Sequence, residues 1–256
     1  MNKKILITGS NGFISQKLFN YLKNKNYSIF CTSRVKNDVC YFDLQNDSNS
    51  KNTIPKFDIL VHLAYFKGRS FSDEKKHNIN GSKNIFLLAK KFNAKIIFIS
   101  SQSANLKSYS NYGKIKYELE DIASHFDASI IRPGLIYEKN SNTGIFGKIE
   151  KLVKFLPLII VPDGFNRKIN LCKIETLLKN INNIIVNGNG NNKLINLSEN
   201  ENYNLVDLVN YISKIHNKKI KIILVNYKII LKFLRFLEAF NLKLGLSSDS
   251  LKSLIK

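Results

Sequence analysis

The chain has 256 residues, 44% of them hydrophobic and 11% aromatic, which is enough to bury a sizeable core and argues against disorder. Its formal net charge is +21, yet the lysines spread along the whole length without a stripe interleaved with aromatics. No nucleic-acid partner is therefore expected, although such a field still attracts an anionic nucleotide or nucleotide sugar.

KKILIT at residues 3–8 predicts a buried strand, Gly12 to Lys23 a helix, YSIFCTS at 27–33 a second strand and VCYF at 39–42 a short third. DILVHLA at 58–64 follows as a fourth strand, Asp73 to Phe92 as a helix, and KIIFIS at 95–100 as a fifth strand. Tyr112 to Ser124 then reads as a helix and ASIIRP at 128–133 as a sixth strand. This alternation is the signature of an α/β fold, a Rossmann-type doubly wound parallel sheet with helices on both faces. After Pro133 the rhythm loosens into a Gly/Asn/Ser-rich loop, a helix near Ile145 to Phe155, the Pro-containing LPLIIVPDG and shorter elements. We expect a core over residues 1–135, with 168–198 returning to it, and a small, partly interleaved C-terminal substrate lobe from 136–167 and 199–256.

Three cysteines, at 31, 40 and 172, have no metal-ligand spacing, so no metal site is expected and a reducing compartment fits best. The opening MNKKILITGSNGF lacks an apolar leader segment, and no run approaches the roughly 20 apolar residues of a membrane span. The expected location is cytoplasmic.

TGSNGFIS at 8–15 places Gly9 and Gly12 at the turn between the first strand and first helix. There a dinucleotide pyrophosphate can rest on the helix N-terminus, because glycines let the backbone approach and N–H groups point at the anion. A lone Gly-x-x-Gly is weak; the strand before it and the helix after it supply the confirming context. Ser15 stands where the fingerprint has a third glycine, a position that serves close packing.

Several ordered segments resemble the extended short-chain dehydrogenase/reductases, in particular the NAD(P)-dependent epimerase/dehydratase family that modifies nucleotide sugars. They are TGSNGFI at 8–14, HLA at 62–64, NINGSKNI at 78–85, ISSQSA at 99–104, YGKIK at 112–116 and RPGLIY at 132–137. The resemblance covers roughly the first 200 residues and is loose over the last fifty. It implies a catalytic set of Ser101, Tyr112 and Lys116: Tyr112 as general acid/base, Lys116 lowering its pKa and holding the nicotinamide ribose, Ser101 bonding the reacting oxygen. Tyr-x-x-x-Lys alone carries little weight, since Tyr21 and Lys25 also match it. Only Tyr112 follows a serine at the carboxyl end of a strand, where sheet active sites form, and opens a helix with the lysine one turn on. Ser100 and Ser103 are rivals to Ser101.

The same resemblance implies cofactor contacts from Gly9, Asn11, Gly12, Phe13, Ile14, Asp43, Leu44, Leu63, Ala64, Asn80 and Pro133, besides Tyr112 and Lys116. At the end of the second strand Ser33 replaces the acid that pairs with NAD ribose and Arg34 follows, which favours NADP(H) over NAD(H). Gln102 and Ser103 stand where dehydratase members carry a carboxylate pair, so dehydration is not expected. Ser103 and Arg167 are candidate substrate contacts.

The expected activity is reduction of a keto sugar on a nucleoside diphosphate, in surface polysaccharide biosynthesis. A C4-type nucleotide-sugar epimerase is the alternative, and a non-catalytic NADP-binding sensor or scaffold the alternative of another class. KIILVNYKIILKFLRFLEAFNLKLGL, within 220–246, has charges at helical spacing beside a broad apolar face. It reads either as packing against the body or a partner subunit, as in a homodimer, or as a peripheral membrane contact.

Overall fold

In β1 (Lys3–Thr8) the side chains of Ile5, Leu6 and Ile7 are all removed from solvent, which a strand achieves only when both faces of its sheet are covered. The computed structural model describes residues 2–35, 40–46, 54–141, 143–163, 168–188, 193–199, 202–240 and 247–255. The other strands of this sheet are β2 (Tyr27–Cys31), β3 (Ile59–His62), β4 (Lys95–Ile99), β5 (Ser129–Pro133) and, much later in the chain, β9 (Leu194–Leu197). All pair in parallel, in the order β2-β1-β3-β4-β5-β9. The strand expected at VCYF is absent among the described residues. Val39 of that segment lies outside the described residues; among the others Tyr41 makes a single parallel bridge to Ser33.

Alternation along the strands separates two cores. Leu6, Leu60, Phe98 and Ile130 face one way, with residues of α2 (Phe71–Lys91) and α3 (Asn111–Ser124). Ile7, Val61, Ile97 and Ile131 face the other, with α1 (Phe13–Leu22) and α5 (Ile174–Asn187). The chain leaves β1 for β2 on one side and then returns to place β3 on the other, so the sheet has a switch point at the carboxyl ends of β1 and β3. Open α/β sheets bind ligands at such crevices.

A third core forms between α4 (Gly144–Phe155), β7 (Leu158–Asp163), β8 (Ile169–Lys173) and α6 (Leu205–Ile215). β8 sits in a small sheet between β6 (Leu135–Tyr137) and β10 (Asn202–Tyr203). Its Ile169 and Leu171 enter the third core while Cys172 enters the second, which interleaves the two parts of the chain. β11 (Lys221–Asn226) pairs with β7 and leads into α7 (Tyr227–Ala239); α8 (Ser248–Ile255) follows.

Candidate active site

The carboxyl edge of the large sheet opens into a cleft of about 870 Å³. Its floor is the β1–α1 turn. Gly9 has φ +74°, and a Cβ there would lie 2.9 Å from the backbone N and Cα of Ala64, so only glycine lets this turn lie against the exit of β3. Gly12 caps α1 without a side-chain bond, and the first turn holds no acid. The positive end of the helix therefore has no acid of its own first turn to answer it. Ser15 is buried at the third fingerprint position, and its hydroxyl donates to Thr8 O at 3.4 Å.

A buried polar chain stiffens the exits of β1 and β3. Thr8 Oγ1 accepts the N–H groups of Leu63 and Ala64, both at 3.1 Å, so its own hydrogen is directed to His62 Nδ1 at 2.8 Å. That leaves Nε2 as the protonated nitrogen, donating to Ser82 Oγ at 2.9 Å. Burial, with Lys116 adding to it, pulls the His62 pKa down to about 3, which keeps the imidazole neutral.

Ser101, Tyr112, Lys116 and Ser103 all line the cleft, facing Gly12, Phe13 and Ile14 of the floor. The Oγ atoms of Ser101 and Ser103 are 2.9 Å apart, and Ser101 Oγ also accepts the Ser103 N–H at 3.1 Å. Ser100 also lines the cleft, but its hydroxyl is engaged: it donates to Glu120 Oε1, which also accepts from Arg132 Nε at 2.7 Å. The rivalry among the serines is thus narrowed by a structural ion pair that ties β5 to α3 and occupies Ser100.

The first turn of α3 is pressed onto the 103–108 loop. A Cβ on Gly113 would come within 2.3 Å of Ser103 O and 2.2 Å of Ser108 Oγ, so the glycine of YGKIK is required for Tyr112 to reach the serines. Ser110 caps the helix by accepting the Gly113 N–H at 3.0 Å. Lys116, one turn on, is buried, and its Nζ donates to Ile99 O at 2.8 Å. The same nitrogen stands 4.6 Å from the centre of the Phe98 ring and 5.8 Å from that of Tyr112.

These surroundings act on the proton chemistry. Burial pushes the Tyr112 phenol up to about 12, while its hydrogen bond with Ser101 pulls the other way. Burial draws the Lys116 ammonium down to about 7, with Glu120 opposing. Desolvation acts on both groups and favours their neutral forms.

Three residues of this site were not singled out from sequence. Asn78 is fully buried on α2 and pins the loop after β3: its Oδ1 accepts Phe66 N–H at 2.9 Å, and its Nδ2 donates to Phe66 O at 2.7 Å and Glu74 O at 2.6 Å. Tyr65 packs edge-on against Tyr112, ring centres 4.8 Å apart, and its hydroxyl donates to Glu74 Oε1 at 2.5 Å. Asp249 of α8 accepts the N–H groups of Asn111 at 2.7 Å and Tyr112 at 3.3 Å, so the C-terminal helix closes over the start of α3.

Of the other expected contacts, Leu63 and Pro133 line the cleft, and Ala64 lies against Gly9 at its base. Asn11 is exposed in the turn. Two of the expected positions lie off the cleft lining. Asn80 is exposed on the outer side of α2 and away from the cleft; Asn78, two residues earlier, faces inward with Gly81 and Ser82. The Leu44 side chain is buried in the core against Gly81 and lines no part of the cleft. Asp43 accepts the Gln45 N–H at 3.1 Å within its own turn. Arg34 is exposed at the end of β2. Arg167 lies outside the described residues. Gln102 accepts from Asn170 Nδ2 at 2.8 Å, a link from the serine loop to β8.

Fold and cleft together define a Rossmann-type α/β protein with a Ser-Tyr-Lys set at the carboxyl edge of its sheet. The family model for the NAD dependent epimerase/dehydratase family matches residues 5–129, which bears out the family resemblance over that stretch of the chain. No curated protein matches the chain. Solved structures do. A dTDP-4-dehydrorhamnose reductase of Bacillus anthracis, in complex with NADP, is 18% identical, with 99% of this chain and 98% of that chain covered and a TM-score of 0.74. The dTDP-4-dehydrorhamnose reductase of Clostridium acetobutylicum is 19% identical over 87% of this chain and 84% of that one, TM-score 0.74. A UDP-glucuronic acid 4-epimerase of Bacillus cereus, in complex with UDP-glucuronic acid and NAD, is 18% identical over 87% and 86%, TM-score 0.70. At these identities the likeness is one of fold.

Proposed function

We propose that the protein is an NADP(H)-dependent reductase of a keto sugar carried on a nucleoside diphosphate. The observation that carries this reading is that Ser101, Tyr112 and Lys116 face the Gly12–Ile14 turn across one cleft. The floor fits a dinucleotide: a glycine cradle and a helix N-terminus with no acid in its first turn suit a pyrophosphate. Gly9, Asn11, Gly12, Phe13 and Ile14 would hold that part, with Leu63, Ala64, Pro133 and Lys116 toward the nicotinamide. Arg34 beside Ser33, with no acid there, suits a 2′-phosphate, which supports NADP(H) over NAD(H). When bound, NADPH supplies a hydride.

The chain's own residues would then manage the oxygen. Ser101 donates a hydrogen bond to the carbonyl oxygen and orients it. Tyr112, whose phenol stays protonated to about 12, gives its proton to that oxygen as the hydride reaches the carbon. Residues 1–135 with β9 and α5 would form the cofactor half, and 136–167 and 199–256, packed with Ile169 and Leu171 of β8 in the third core, the substrate lobe. A charged nucleotide substrate suits the +21 field and a cytoplasmic setting.

The test is NADPH consumption, followed by its near-ultraviolet absorbance, with keto sugar nucleotides. Stoichiometric loss is expected, and Tyr112→Phe should lower turnover by about a hundredfold to ten-thousandfold. Interconversion of two sugars without net NADPH loss would assign the C4-type epimerase instead. Cofactor binding with no turnover by any of them, and a cellular role unchanged by Tyr112→Phe, would assign a sensor or scaffold.

A further inference from the structure

α7 buries one face and leaves another apolar face in water. Leu234 is the helix's buried residue, whereas Ile229, Phe233, Phe236 and Phe240 at its end are 61%, 55%, 60% and 63% exposed. Their spacing of four, three and four residues puts them in one line along the helix. Lys228, Lys232 and Arg235, at the same spacing of four and three, form an exposed row beside that line. Glu238 is the one acid on the helix, and it accepts both the N–H and the hydroxyl of Ser248 at 2.7 Å. Single exposed apolar residues are ordinary; four in a line are not.

The row of cations decides what covers this line. A second copy seated on it antiparallel would bring two like rows together, and in either orientation it would join molecules that each carry +21. A bilayer with anionic headgroups reverses that sign. Phe and Ile side chains suit the boundary between headgroups and acyl chains, while lysine and arginine stems reach back to the phosphates. No described helix is long and apolar enough to cross a membrane, so the geometry is that of a helix lying in the surface plane.

We infer that α7 docks the protein on anionic phospholipid bilayers, with Ile229, Phe233, Phe236 and Phe240 entering the surface and Lys228, Lys232 and Arg235 meeting headgroup phosphates. The inference is independent of the reading of the cleft. It has a spatial consequence for it: α7 is tied through Glu238 to α8, whose Asp249 holds the start of α3. Docking would hold the cleft close to the bilayer.

Co-sedimentation of the full chain with vesicles tests this, comparing phosphatidylcholine alone with phosphatidylcholine mixed with phosphatidylglycerol. The full chain should sediment with the mixed vesicles and stay in solution with the neutral ones. Replacing Lys228, Lys232 and Arg235 together by Gln should weaken binding about a hundredfold, at roughly fivefold per cation. Phe233→Ser with Phe236→Ser should weaken it at least tenfold. Removing three exposed lysines of the other half, by Lys4→Gln, Lys76→Gln and Lys83→Gln, should change it less than threefold. Four outcomes would overturn the inference: no sedimentation with either vesicle, equal sedimentation with both, an equal loss from the distant lysines, or a concentration-dependent dimer that the phenylalanine changes abolish. All these positions are exposed, and unchanged melting temperatures confirm that each variant folds.

Discussion

Phe98 and Phe236 sit in similar company in the sequence, each amid isoleucine, leucine and phenylalanine, yet one is fully buried and the other is 60% exposed. Phe98 lies on a strand with a parallel neighbour on either side and helices on both faces. Phe236 lies on a helix that only one side of the C-terminal lobe covers. An apolar pattern thus states that a surface needs cover without stating what covers it. The sheet half answers that need within the chain, and α7 leaves it open. The same contrast holds for polar groups. In the sheet half, buried Thr8, His62, Ser82 and Asn78 are all bonded internally, whereas the polar row of α7 faces solvent.

The largest test of this contrast is at the best-connected buried amide. Asn78→Ala strands the N–H and C=O of Phe66 near the protein interior, and should cost about 2–4 kcal/mol in urea unfolding. Asn80→Ala, two residues on and exposed, should stay within about 0.5 kcal/mol. Equal effects would mean that the 64–68 loop is not held from α2.

A smaller effect, and one that pH brings out, belongs to His62. Its folded pKa of about 3 lies below the ordinary 6.5, so between those values the unfolded chain binds more protons than the folded one. The stability this neutral imidazole contributes is complete above pH 6.5 and falls away as the pH drops toward 3. At pH 5 the loss on this account is about 2 kcal/mol. His62→Gln, which can keep bonds to Thr8 and Ser82, should be less stable at pH 7 but show a shallower decline from pH 7 to 5. An unchanged slope would assign the acid sensitivity elsewhere.

Much of the sheet half was legible because its signals are local. Apolar strands, turn glycines and the Ser101–Tyr112–Lys116 spacing lie in separate short stretches, and the parallel sheet brings their carboxyl ends to one edge. Three features were not legible, each for a distinct cause. VCYF has strand composition, but Tyr41 finds one bridging partner, because a ladder depends on the neighbour as well as the residue. Asn78 carries no motif of its own, although helical period marks it as buried: it is seven residues before Ile85 and shares its buried face. Asp249 lies 137 residues from Tyr112, and no local pattern announces that α8 folds over α3.

The smallest effect is expected where the two regions differ most. Leu234 is the buried side chain of α7, so Leu234→Ala should cost about 2 kcal/mol through lost packing against the lobe. Phe236→Ser removes a larger side chain from the same helix, yet should change stability by no more than about 0.5 kcal/mol, because the ring is already in water in the isolated protein. Denaturant midpoints of the two variants measure this directly. If Phe236→Ser costs as much as Leu234→Ala, the line on α7 is covered within the free protein and the contrast between the two halves fails. If it costs little in solution but lowers the melting temperature measured on anionic vesicles, the ring is stabilised by what lies outside the chain.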